Sequence, residues 1–158
     1  MDGASERDEL SLNEAATHVL EECRTVVPGM QALFGFQLIA VFSPAFRDQL
    51  LESERMIHLA AIVLVTIAIV LVMAPAALHR QADPMSVSRL FIQTSSRLLM
   101  ASLVPLGVGM VLDVYVIARI ILRSNLGAIV VAVVLLAVFV VFWRVIPQRA
   151  RRRTTVRQ

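Results

Sequence analysis

Between Ile57 and Ala77, and again between Gly127 and Trp143, the sequence runs for about the depth of a bilayer without an Asp, Glu, Lys or Arg. A hydrocarbon core of roughly 30 Å takes about 17 to 25 helical residues to cross. A chain in oil must also pair its own backbone N–H and C=O groups, so runs of this kind fold as helices. Composition agrees, because 58% hydrophobic residues and a mean hydropathy of +0.75 lie well above the roughly half-apolar usage of soluble domains. The sequence reads as an all-α integral membrane protein.

Two further windows extend the count. The expected spans run over about 29–46, 57–77, 98–121 and 127–146. Together they form a four-helix transmembrane bundle in one domain, residues 28–146. The first window is shorter and carries Gln31 and Gln37, so the count falls to three if that segment does not cross. Ahead of it, "MDGASERDEL" is acidic and lacks the basic start and short apolar run of a cleavable signal. The first span is therefore expected to anchor the protein.

Residues 1–10 read as a disordered acidic start, and residues 11–27 as an amphipathic cytoplasmic or interfacial helix. Ser11 and Glu14 form a capping-box pattern. Leu12, Ala16, Val19, Cys23 and Val26 recur at three- and four-residue spacing, leaving the opposite face acidic. Pro28 and Gly29 are expected to break this helix before the first span. It serves either to dock on a partner or as a solvated helix on the membrane surface. Anionic lipid repels Glu21 and Glu22, which favours docking against the protein's own cytoplasmic arginines.

All the basic residues are arginines. With four spans, one side collects Arg7, Arg24, Arg80, Arg89, Arg97, Arg144 and the tail arginines, while the other holds Arg47, Arg55, Arg119 and Arg123. Arginine excess near span ends marks the cytoplasm, so both termini are placed there. The tail, residues 147–158, reads as an anchor on anionic lipid, with Trp143 and Arg144 at the interface; His79 and Arg80 play the same part at the end of the second span. No folded basic surface with a nucleic-acid motif accompanies these charges, so a nucleic-acid partner is not expected. One cysteine, Cys23, cannot form an internal disulfide. His18, His58 and His79 match no zinc-site spacing and read as structural or exposed. Neither a metal nor a cofactor is implied.

The remaining signal is a lone acid. Of the 12 acids, only Asp113 falls well inside an expected span. A charged group at a helix centre costs roughly 2.5–3.5 kcal/mol on insertion scales, so such residues face a bundle interior or water and pair with something. Counting turns places Ser102, Gly109 and Asp113 on one small, polar face. That face reads either as a proton or cation path, or as a packing surface on which Asp113 bonds to Gln37, Thr66 or a backbone carbonyl. Gln31, Gln37 and Thr66 are the candidates for polar contact between helices. Arg119, six residues past Asp113, is poorly placed to pair with it along the same helix and is expected to snorkel to the external interface.

At "EECRTVVPGMQALFGFQLIAVF" and "APAALHR" the chain resembles a family of small bacterial membrane proteins filed as domain of unknown function 6328. The matching positions are Pro28, Gly29, Gln31, Phe34, Phe36, Pro75, His79 and Arg80, and the likeness extends from Asn13 to Ile146. It implies four spans and a bacterial inner membrane and little chemistry, although some members carry a sodium/proton antiporter label.

Three classes of function follow. Enzymes are disfavoured, because no paired acids, nucleophile elbow, zincin motif or phosphate loop is present. Transport of a proton or monovalent cation would use Asp113 and, since four helices enclose no wide pore, a homo-oligomer. The alternative is a membrane scaffold or regulator acting through its charged termini.

Overall fold

The computed structural model describes residues 2–81, 89–146 and 148, and its described elements are helices. They are α1 (Asp2–Val41), α2 (Pro44–Asp48), α3 (Glu52–Gln81), α4 (Arg89–Leu122) and α5 (Asn125–Val140), which passes into a wide π turn, Val141–Val145. Three of the helical segments are long and apolar enough to cross a membrane: Glu52–Arg80, Leu90–Leu122 and Asn125–Val145, with mean hydropathies of 2.9, 1.9 and 3.1. At 1.5 Å per residue the shortest spans about 31 Å, the thickness of a hydrocarbon core. These helices mark a membrane-associated protein.

The first expected span is not among them, and the reason is local. Proline lacks the N–H of a helical turn and disfavours the α conformation in the residue before it. Ser43, before Pro44, is extended at φ −71° and ψ 144°. Its Oγ accepts from Phe46 N at 3.3 Å, which caps α2 and ends the apolar run as a helix at Val41. The expected break at Pro28–Gly29 is absent: α1 continues through Pro28 and starts at Asp2, within the segment expected to be disordered. Cys23 and Met30, on either side of Pro28, are both buried in one cluster with Ala68 and Val72 of α3. Packing of that kind routinely overrides local propensity. The expected amphipathic segment and first span are thus one helix. Most of the basic tail lies outside the described residues.

α3 packs through a single seam. Its buried residues are Glu54, His58, Ala61, Val65, Ala68, Val72 and Pro75, alternating steps of four and three. Against them α4 runs antiparallel and sets Ser95, Ser102, Gly109 and Val116, all buried and seven apart. Gly109 allows the approach, because a Cβ there would lie 3.0 Å from Val65 Cγ2 and 3.1 Å from the Ala61 carbonyl oxygen. α1 lies antiparallel to α3 along the same seam and also meets α4: Cys23 and Met30 cluster with Val72, against which Leu99 and Leu106 pack, and Gln37 lies near His58. α5 folds back along α4 after a turn in which Arg123 has φ 50° and Ser124 caps Gly127.

Candidate functional site

Three helices each contribute one polar side chain to a single cluster: Gln37 of α1, His58 of α3 and Asp113 of α4. Gln37 Nε2 donates to Asp113 Oδ2 at 2.5 Å. His58 Nδ1 lies 3.0 Å from Asp113 Oδ1, and His58 Nε2 lies 3.0 Å from the Gln37 carbonyl oxygen. The side chains of His58 and Asp113 are only 8% and 13% exposed. Phe46 of α2 meets the imidazole edge-on at 5.3 Å and 64°, so the Ser43–Pro44 turn that shortens α1 also places a ring over the cluster.

The surroundings are partly charged. One turn before His58, Glu54 Oε1 accepts from Arg119 Nε at 2.8 Å. Its Oε2 accepts from Leu51 N at 3.0 Å, which ties the start of α3. A pocket of about 300 Å³ adjoins the cluster, bounded by Leu33, Phe36, Phe46 and Ile117 with Gln37, His58 and Asp113 on one side. A mostly apolar pocket with a few convergent polar groups is a form that binding sites commonly take.

Hydrogen-bond bookkeeping defines what this geometry accommodates. Both His58 nitrogens face acceptors. An imidazolium donates to both; alternatively, a protonated Asp113 donates to Nδ1 while Nε2–H donates to Gln37. Each arrangement places one proton on the pair. Gln37 Oε1 is buried without a hydrogen-bond partner, so the carboxamide also has an acceptor to offer if it turns over.

The other expected site residues lie elsewhere. Ser102 is buried and bonds back to the Leu99 carbonyl at 2.6 Å; eleven residues from Asp113, it sits about 16 Å away along α4. Gly109 belongs to the contact with α3. Thr66 is exposed and bonds within its own helix, to Ile62 O at 2.8 Å, and Gln31 is exposed. His79 is half-buried beside Phe91 at 5.7 Å, and Arg80 is exposed. Trp143 stacks on Phe139 at 4.7 Å, with Arg144 exposed next to it. Arg119, expected at the external interface, lies three residues from the end of α4 and is held there by the Glu54 carboxylate near the start of α3. His58, read from the sequence without a site role, stands at the centre of the cluster. Among the described residues, no group of three or more His, Cys, Asp or Glu is placed to hold a metal ion.

A sequence-family profile described as a family of unknown function, DUF6328, matches residues 5–147. The chain belongs to this family. The DUF6328 region contains all three cluster residues as well as the Glu54–Arg119 pair. No curated protein and no solved structure matches the chain.

Proposed function

We propose that this DUF6328 protein binds a proton or monovalent cation at the Gln37–His58–Asp113 cluster and passes it across the membrane, with no covalent chemistry. The observation that carries this reading is the imidazole held between two acceptors, each 3.0 Å away. With one proton on the pair, every contact joins a donor to an acceptor. With none, a ring nitrogen sets its lone pair against an oxygen lone pair, so release is coupled to water or a cation entering beside Asp113, or to movement of the ring. A second proton fits when the Gln37 carboxamide turns and Oε1 accepts from the carboxyl group. The cluster then offers distinct states at successive proton counts, in each of which the contacts at Asp113 and His58 join a donor to an acceptor.

In this reading α1 supplies a fourth crossing. Its second half lies against α3 between Val72 and His58, level with the apolar spans. Phe36, Ile39 and Phe42 are 71%, 66% and 78% exposed there, an arrangement suited to lipid. Four crossings place both termini in the cytoplasm of a bacterial inner membrane, in line with the arginine distribution. Because Ala61, Val65, Ala68 and Val72 fill the seam within one copy, a continuous water path requires a symmetric assembly of copies.

The test is purified protein in vesicles carrying a pH or sodium gradient. Wild type dissipates the gradient, while Asp113→Asn and His58→Gln do so at least tenfold more slowly. Equal behaviour of wild type and empty vesicles overturns the proposal. It would favour the second reading, a scaffold in which the cluster only braces helices, a role suited to its bonds running between α1, α3 and α4.

A further inference from the structure

The face of α4 turned away from the cluster forms a second concavity. A groove of about 510 Å³ runs between α4 and α5, walled by Met100, Val104, Val108, Leu136 and Val140. Gly107 opens it: a Cβ there would lie 3.1 Å from Trp143 Cζ3, so the glycine lets the indole settle against α4. Its polar lining residues, Arg144 and Gln148, lie at the C-terminal end of α5, and no acid lines it.

The π turn accounts for that polar end. At about 100° per residue, Gln148 of a regular helix would point about 120° round from Leu136. A π turn takes in one extra residue, which brings Gln148 back to within about 20° of Leu136. The wide turn at Val141–Val145 thereby puts a cation and an amide on the same line as the apolar wall. An apolar trough ending in Arg144 and Gln148 has the polarity of an amphiphile with an anionic head.

The structure assigns this groove to one anionic phospholipid, its acyl chain along Val104, Val108 and Leu136 and its phosphate at Arg144 and Gln148. The sequence beyond the groove adds Arg149, Arg151, Arg152 and Arg153, matching charge to an anionic leaflet.

The protein carries its own reporter, because Trp143 is the only tryptophan. The full chain is reconstituted in phosphatidylcholine vesicles doped with brominated phosphatidylglycerol or brominated phosphatidylcholine, and Trp143 quenching is followed against mole fraction. Brominated phosphatidylglycerol is expected to quench at about fivefold lower mole fraction, the preference one arginine confers near a membrane surface. High salt reduces the preference and Arg144→Gln removes it. Arg80→Gln, an exposed cation at the same end of the bundle but outside the groove, leaves it unchanged. Circular dichroism verifies that both variants are folded. Equal quenching by the two lipids overturns the assignment, as does loss of preference in both variants, which signals diffuse surface charge. Absence of quenching by either lipid overturns it too, since another copy then covers the groove.

Discussion

Glu54 and Arg119 join α3 to α4 through a 2.8 Å bond between Oε1 and Nε, one turn from His58 on the first helix and six residues past Asp113 on the second. The two side chains are 7% and 23% exposed. A pair this enclosed depends on both members, because removing one strands the other. Glu54→Gln or Arg119→Met alone should cost about 3–5 kcal/mol, whereas Glu54→Leu combined with Arg119→Met should cost less than either. Thermal unfolding of the three variants in detergent checks the order; a double variant weaker than both singles refutes it.

Gln37 is the only amide in the cluster, and its Nε2 bonds to Asp113. Gln37→Leu keeps the volume roughly constant but takes away a donor to a buried carboxyl oxygen. The expected loss is about 1–3 kcal/mol. Gln37→Glu, which can share a proton with Asp113, should unfold at a lower temperature at pH 8 than at pH 5. A flat profile would show that the two side chains do not share a buried site.

Two glycines should respond with opposite signs. At Gly109 a new Cβ meets Val65 and the Ala61 carbonyl at 3.0 and 3.1 Å, and the backbone contact cannot give without moving α3. Gly109→Ala is expected to destabilise by about 1–3 kcal/mol. At Gly35 nothing lies within 4 Å, so Gly35→Ala gains helix propensity of up to about 1 kcal/mol. Melting temperatures in one detergent suffice to test the pair.

Cys23 is buried against α3. Maleimide labelling at neutral pH should be at least tenfold slower than that of a free thiol and become fast in denaturing detergent. Labelling at the free-thiol rate would place Cys23 outside the core.

The apolar runs made α3, α4 and α5 legible, and the cost of an isolated acid singled out Asp113. The end of α1 was also written in the sequence, as Ser43–Pro44, but the apolar residues after it masked the signal. Continuity through Pro28 was not, because it depends on Cys23 and Met30 being buried against another helix. Metal-site spacings give no sign of His58, because its partners are a backbone carbonyl and a carboxylate on two other helices. The alternating four and three from Glu54 to Pro75 would have placed it on the buried side of α3. Arg119 could be positioned only against its own helix, since periodicity carries no information on how far one helix slides along the next.

That alternation has a geometric cost. Seven residues fall short of two full turns of a straight α-helix by about 20°. Over the three repeats from Glu54 to Pro75 the covered stripe would drift about 60° around the axis. For Pro75 and His58 both to stay under cover, α3 must coil left-handed around its neighbours, and that shallow winding keeps the imidazole aimed at its carboxylate.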